Sequence, residues 1–345
     1  MHLALLGTGM IVEEVLPVLQ TIEGIKLEAI LSTPRSISKA QDLAKEYGLA
    51  QATSDFSEIL ANKVVDTIYI GTPNHTHYDY AKAALQAGKH VICEKPFTLE
   101  AGQLEDLRQE AKKRGLILLE AITNQYLPNF QILKENLAKI GQVKIVSFNY
   151  SQYSSRYDAF KRGEIAPAFN PAMGGGALRD LNIYNIHLLV GLFGQPQKVN
   201  YLANIERDVD TSGILALDYG AFKVVSIAAK DCSAEIRSTI QGDKGSLTIL
   251  GPTNSLPQIQ LALNGQESMD ISQSEPHHRM HDEFVAFERI IAEKDFVSSR
   301  QALDHSQAVM SVLDQAIASL PYLFANKKAC QLVGLLEYLE FAWCV

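Results

Sequence analysis

The stretch "GTPNHTHYDYAKAALQAGKHVICEKP" (71–96) decides the fold. It opens on the end of a β-rich run, "VVDTIYIGT" (64–72), and passes through "HYDYAKAALQAGK" (77–89), whose spacing is helical with Gly88 as its stop. It closes on the apolar strand "HVICE" (90–94). Two strands joined by a helix, with no hairpin turn, make a parallel βαβ unit. The alternation extends outward: "HLALLG" (2–7), "KLEAILS" (26–32) and "LILLEAI" (116–122) read as strands, and "SKAQDLAKEYG" (38–48) and a segment ending near Gly115 read as helices. Residues 1–123 are therefore expected to form a doubly wound parallel sheet.

From about residue 124 the pattern changes. A helix around 129–139 leads into "QVKIVSFNYSQY" (142–153), then a loop containing Gly and Pro, then a helix from about 176 to 192. Five strand-like runs follow: "VNYLANIE" (199–206), "TSGILALDY" (211–219), "AFKVVSIAAK" (221–230), "AEIRSTIQG" (234–242) and "GSLTILG" (245–251). Turn signals such as "DYGAF" and "GDKG" in place of crossover helices imply a large, mostly antiparallel open sheet. Helices near 280–294 and 301–320 return to pack on either half. The expected fold class is α/β, with a Rossmann-type domain over 1–123 and an α+β domain over 124–325. The apolar tail 326–345, which holds the single tryptophan, Trp343, reads as a docked last helix, an extension of an oligomer interface, or an artefact of the sequence.

A chain of 345 residues with 47% hydrophobic content has enough apolar mass for two cores. Its formal charge is −8 and its basic residues are scattered, so no stripe exists to track a phosphate backbone, and nucleic acid is not expected as a partner. Cys93, Cys232, Cys330 and Cys344 show no CxxC spacing, which fits a reducing compartment rather than a disulfide framework or zinc site. The start "MHLALLG" lacks a basic flank and runs into Glu13 and Glu14, so it is not expected to be a secretory signal. No run approaches the ~20 apolar residues of a membrane helix. The expectation is a cytoplasmic protein.

"GTGMIV" (7–12) follows the first strand, with Val12 where the third glycine of G-x-G-x-x-G would stand. The turn Gly7–Thr8–Gly9–Met10–Ile11 lets backbone N–H groups approach a pyrophosphate at a helix N-terminus, although a plain strand-to-helix turn would read the same way. The second strand ends in "LSTPRS", with no acidic residue before Asp42. Ser32, Thr33, Arg35 and Ser36 suit a ribose 2′-phosphate, because guanidinium pairs bidentately with phosphate oxygens, so NADP is expected ahead of NAD. Thr72, Pro73, Asn74 and His77, beyond the third of these strands, are expected on the nicotinamide side. His75 and His77 lack a spaced third ligand, and no metal is expected.

With these residues in place the chain resembles the Gfo/Idh/MocA oxidoreductases, the family of glucose-fructose oxidoreductase and inositol dehydrogenase. The resemblance rests on "GTGMIV", on 71–96, on "AITNQYLPNF" (121–130), on "IGQVKIVSF" (140–148) and on "GGGALRDLNIYNIHLLVGLFG" (174–194), covering about the first 250 residues in the family's order. It implies a Rossmann domain, an α+β domain whose open sheet mediates a homodimer or homotetramer, and hydride exchange between NAD(P) and the carbinol or carbonyl of a sugar, polyol, diol or similar small molecule. The family lysine of the EKP motif matches Lys95 and its helix acid matches Asp180. Tyr184 replaces the more usual histidine, as in the dihydrodiol dehydrogenase and sugar oxidoreductase branches. Asn182 stands where glycine is usual.

Asp180, Tyr184 and His187 fall at i, i+4 and i+7, one face of a helix. Hydride transfer needs a group that moves the hydroxyl proton. Tyr184 is the expected acid/base, with Lys95 as the cation that favours its phenolate, or else Lys95 carries the proton itself. Asp180 is expected to position Lys95 or a substrate hydroxyl, and Glu94 to hold the strand end through backbone or cofactor contacts. Two readings compete with net oxidoreduction: a redox-neutral enzyme that keeps its cofactor bound, and a non-catalytic nucleotide-binding regulator. The loop "YSSRYDAFKRGEIAPAFNP" (153–171) is expected over the substrate, with Arg156, Tyr157, Lys161 and Asn170 as polar candidates beside Tyr126, His187 and Arg237. His277, His278 and His281 read as a solvated helix start.

Overall fold

The computed structural model describes residues 1–273 and 277–320; the tail at 326–345 lies outside the described residues. Strands β1 (His2–Leu6), β2 (Lys26–Leu31), β3 (Gln51–Thr53), β4 (Thr67–Ile70), β5 (His90–Glu94) and β6 (Leu118–Ala121) form a sheet in the order β3-β2-β1-β4-β5-β6. All its pairings are parallel. Helices α1 (Met10–Leu19), α2 (Ile37–Tyr47), α3 (Phe56–Ala61), α4 (His77–Gln86) and α5 (Ala101–Arg114) return the chain between strands. Both faces are covered, so Leu3 to Leu6 are fully buried, which is why the strands read as unbroken apolar runs. β3 was not expected: three residues are too few to show alternation, and they become a strand by pairing with Ala29–Leu31 of β2.

After α6 (Pro128–Asn136) the chain builds the second sheet from β7 (Val143–Ser151), β8 (Lys198–Glu206), β9 (Val209–Asp218), β10 (Lys223–Ala229), β11 (Arg237–Gly242), β12 (Gly245–Leu250), β13 (Gln258–Leu263) and β14 (Met269–Asp270). The order is β14-β13-β12-β11-β7-β10-β9-β8. Only the central β7–β10 pair is parallel. β13 and β14 extend it past the expected strands. One face packs Phe148, Tyr201, Leu215 and Leu247 into a core shared with α8 (Ile183–Phe193), which lies after the short α7 (Tyr157–Lys161). The other face leaves Leu202, Ile214 and Ile145 exposed.

The last two helices join the halves. α9 (His281–Ala292) adds Phe284, Phe287 and Ile290 to the core of Leu3, Leu5 and Val12 under the first sheet. α10 (Phe296–Ala318) touches α5 and β6 on one side and α8 and β8 on the other.

The helix expected from 176 to 192 is in two parts. Leu178–Asn182 is π-helical and the α-helix proper begins at Ile183. The start is set by Asp210 of β9, whose carboxylate accepts the Leu178 N–H at 2.7 Å and the Tyr201 hydroxyl at 2.7 Å. Gly176, with φ +122°, passes so close to this carboxylate that a Cβ would sit 1.9 Å from Asp210 Oδ1. Only glycine fits there.

Candidate active site

The strand order makes β1 and β4 neighbours whose crossover connections leave in opposite directions, the switch point at which such sheets bind ligands. Gly7, at the end of β1, has φ +111° and passes Gly71 at the end of β4; a Cβ would stand 2.7 Å from the Gly71 carbonyl oxygen. Val12 fills the place of the expected third glycine because Gly71 yields the room: a Cβ on Gly71 would meet Val12 Cγ2 at 2.8 Å. Gly9, by contrast, has no atom within 4 Å of where its Cβ would be, and no side chain caps the helix that starts at Met10. Uncapped N–H donors beside open space suit a pyrophosphate. Thr8 is half-buried in this turn and Met10 is exposed.

At the end of β2, Ser32 is buried and its hydroxyl donates to the Thr33 carbonyl at 3.1 Å, while the Thr33 and Ser36 hydroxyls pair at 2.9 Å. Arg35 is exposed beside them in the short turn Pro34–Ser36. After β4, Thr72 pairs with Thr76 at 2.7 Å, and Asn74 Nδ2 donates to the Gly174 carbonyl at 3.0 Å, joining this loop to the triple-glycine segment. Pro73 is exposed. His77 differs from expectation. It is fully buried, with its ring nitrogens 3.0 Å from the Pro96 carbonyl and 2.9 Å from that of Thr72, so it ties the exits of β4 and β5 together instead of lining the cleft. Burial pulls its pKa down.

The centre of the site is Lys95, one residue past β5. Its Nζ donates to the Asp180 carbonyl at 3.0 Å and the Asp180 carboxylate at 3.4 Å, and stands 4.6 Å from the centroid of the Tyr184 ring. Burial opposes its charge, but the Asp180 and Glu94 carboxylates and the Tyr184 hydroxyl favour it, and its pKa lies above the ordinary lysine range. It is an ammonium at neutral pH. Glu94 accepts the Tyr69 hydroxyl at 2.7 Å, which holds the strand end in shape.

Asp180 faces a second lysine that sequence reading passed over. Lys230, only 2% exposed, donates to Asp180 Oδ2 and to the Ala168 carbonyl, both at 2.6 Å, over the Phe169 ring. Burial raises the pKa of Asp180, but Lys95 and Lys230 bring it below the usual carboxylate value. The signal existed: "VVSIAAK" delivers a lysine at the end of a buried strand, as "HVICEK" does.

For Tyr184 the balance runs against the expected phenolate. Burial raises its pKa more than Lys95 and Arg279 lower it, so the phenol is the resting form. Arg279 was also missed. It is anchored to Glu14 at 2.8 Å and to the Thr123 hydroxyl at 3.1 Å. Asn124, likewise missed, donates to the Tyr184 carbonyl at 2.8 Å.

His187 does not join Asp180 and Tyr184. It is fully buried against His305 and Glu120: it lies ~60° round the helix from Tyr184, and the π-helical turn at Leu178–Asn182 breaks its i+7 alignment with Asp180. Arg156 reaches across to Met10 Sδ at 3.5 Å, beside the glycine turn. Tyr157 donates to Glu206 at 2.8 Å and packs on the buried Phe160 and Phe169, and Lys161 pairs with Asp158. Asn170 caps Ala172 N–H at 3.0 Å, next to the triple glycine. Tyr126 packs edge-on against Phe287, and Arg237 is exposed on β11. His278 sits 3.2 Å from Glu14, and the His277 and His281 rings stack at 4.3 Å. Among the described residues no group of three or more His, Cys, Asp or Glu is placed to hold a metal, and no helix is long and apolar enough to cross a membrane.

Comparison with known proteins agrees with this geometry. Residues 1–122 match the Gfo/Idh/MocA oxidoreductase family's NAD-binding Rossmann fold, and residues 130–248 match a Gfo/Idh/MocA C-terminal domain. The scyllo-inositol 2-dehydrogenase (NADP+) IolU of Bacillus subtilis is 32% identical, over 94% of this chain and 99% of that protein. A trans-1,2-dihydrobenzene-1,2-diol dehydrogenase of Macaca fascicularis is 27% identical, over 72% and 74%. The structure of a 3-ketoreductase from Actinomadura kijaniata, with NADP and TDP-benzene, superposes with a TM-score of 0.81 at 21% identity, covering 92% and 97%, which shows the shared fold. The chain belongs to the Gfo/Idh/MocA family and is an NAD(P)-dependent oxidoreductase.

Proposed function

We propose that this enzyme prefers NADP and interconverts the carbinol and carbonyl of a sugar, polyol or related diol, with Lys95, Asp180 and Tyr184 as its working residues. The observation that carries the reading is Lys95, which meets both Asp180 and Tyr184 at the mouth of the parallel sheet. The nicotinamide supplies or takes the hydride. Lys95 stays protonated and polarises the substrate oxygen. Tyr184, a phenol at rest, gives that oxygen its proton in reduction and recovers it in oxidation. Asp180 holds the Lys95 ammonium in place. NADP preference is supported by Arg35, Ser32, Thr33 and Ser36 at the end of β2 and by the NADP-dependent relative in Bacillus subtilis.

The exposed Leu202, Ile214 and Ile145 on the outer face of the second sheet support a homodimer or homotetramer built through that face. A cytoplasmic role in carbohydrate metabolism accompanies this reading. Its direct test is NADP+ reduction across a panel of scyllo-inositol, other polyols, aldoses and cyclic trans-diols. Turnover should be retained by neither Tyr184→Phe nor Lys95→Met, each lowering kcat by ~10²-fold or more. Near-normal turnover in either variant removes that residue from the chemistry, and a higher kcat/KM with NAD+ refutes the cofactor preference.

A further inference from the structure

Glu120 is a buried carboxylate that the chemistry above does not use. It lies on β6, 2% exposed. Its Oε1 accepts the Phe97 N–H at 3.1 Å and lies 3.5 Å from His187 Nε2. Phe97 follows Lys95 by two residues, and His187 follows Tyr184 by one helical turn. A single oxygen thus touches both segments that carry the proposed reacting pair.

His187 Nδ1 is 3.0 Å from His305 Nε2 on α10. His187 Nε2 faces Glu120 Oε1 at 3.5 Å, a close contact outside hydrogen-bond geometry. The residues just after Glu120 grip the same helix by its backbone: Asn124 Nδ2 donates to the Tyr184 carbonyl at 2.8 Å, and Gln125 Nε2 to that of His187 at 3.1 Å. A fully desolvated carboxylate is costly in a core unless its partners repay the lost hydration, and here the lysine loop, the tyrosine helix and Ser306 of α10 face it.

We propose that Glu120 is a positioning residue that fixes the separation of Lys95 from Tyr184, one oxygen holding the Phe97 amide by a hydrogen bond and the His187 imidazole by close polar contact. The inference rests on Lys95 and Tyr184 being the reacting pair. Glutamine at position 120 keeps an oxygen for both contacts, whereas leucine keeps the bulk and removes it.

The test compares Glu120→Leu and Glu120→Gln in the full chain, using NADP+ with the most active alcohol of the panel, NADPH fluorescence for cofactor binding, and thermal melting for folding. A misplacement on the order of 1 Å costs roughly 10²-fold, so Glu120→Leu should lower kcat by about that factor while leaving the NADPH Kd within about twofold. Glu120→Gln should stay within about fivefold of the parent kcat. A folded Glu120→Leu protein with parental kcat overturns the proposal, as does a parallel loss of NADPH affinity. So does a Glu120→Gln protein as slow as the leucine variant, which would make charge and not position the operative property. Should Glu120→Leu fail to fold, His187→Leu carries the same expectation; failure of both to fold assigns the cluster to stability and overturns it too. Normal turnover in Lys95→Met or Tyr184→Phe would instead defeat the underlying reading, whatever the Glu120 variants do.

Discussion

Replacing Lys230 with methionine tests whether the second lysine acts through Asp180. The substitution keeps the side-chain length and its packing on Phe169 but removes the donor to Ala168 O and Asp180 Oδ2, both at 2.6 Å. Breaking a buried pair by deleting one partner costs ~3–5 kcal/mol. Asp180 is 35% exposed at its side chain and keeps Lys95, so water and the remaining ammonium screen part of that, leaving about 2 kcal/mol. For a chain of this size the loss corresponds to a fall in Tm of roughly 3 °C. Asp180 would then draw on Lys95 alone and pull it away from Tyr184, so kcat should fall about tenfold with a smaller change in cofactor KM. The decisive assay is a double-mutant cycle with Asp180→Asn. If Lys230 works through Asp180, Lys230→Met should cost little once Asp180→Asn is already in place, giving a coupling energy of at least ~1 kcal/mol. Additive losses, or a Lys230→Met protein with unchanged Tm and kcat, would refute the reasoning.

The glycines of the first turn should separate fold from ligand. Gly7→Ala places a Cβ 2.7 Å from the Gly71 oxygen at φ +111° and should cost ~1–3 kcal/mol in thermal melting, whereas Gly9→Ala points into open space and should leave Tm unchanged while raising the KM for NADP+. Arg35→Ala should raise the NADP+ KM about tenfold or more and leave the NAD+ KM nearly unchanged, as expected for loss of a charge-assisted phosphate contact; equal effects on both would exclude that contact. Burial keeps the Tyr184 pKa above its ordinary value near ~10, so the acid form is present through neutral and mildly alkaline pH. Ketone reduction should therefore be flat with pH across that range while alcohol oxidation climbs, measured as kcat in both directions; a reduction rate already falling near neutrality would contradict the assignment.

The parallel sheet was legible because strands covered on both faces are unbroken apolar runs, and the Lys95 motif because charge after such a run has no structural need. β3 escaped because three residues carry no period, and Gln51–Thr53 is a strand only by virtue of β2. Val12 looked like a defect in the glycine turn, since the compensating space lies 59 residues away at Gly71. Helical spacing placed Asp180, Tyr184 and His187 on a shared stripe, but a stripe has width, and α8 presents Tyr184 to Lys95 and His187 to β6 and α10. The π-turn at Leu178–Asn182 was also invisible, because its cause, Asp210, belongs to a strand of the other sheet.

What periodicity could not supply was the pairing of charges across the two halves, and in the proposed mechanism that pairing decides the chemistry. Each sheet ends a buried strand on a lysine: β5 delivers Lys95 and β10 delivers Lys230. Both ammonium groups converge on the Asp180 carboxylate, one on each oxygen. A carboxylate held between two cations stays ionised, its pKa below the usual range, and is a poor proton acceptor at neutral pH. Lys95, with its pKa held high, is an equally poor base. Of the three side chains at the centre only Tyr184 has a proton it can release and regain near a substrate oxygen, at a cost set by burial on one side and by Lys95 and Arg279 on the other. In the proposed mechanism aspartate and the two lysines therefore act by holding charge in place, and proton traffic falls to the phenol.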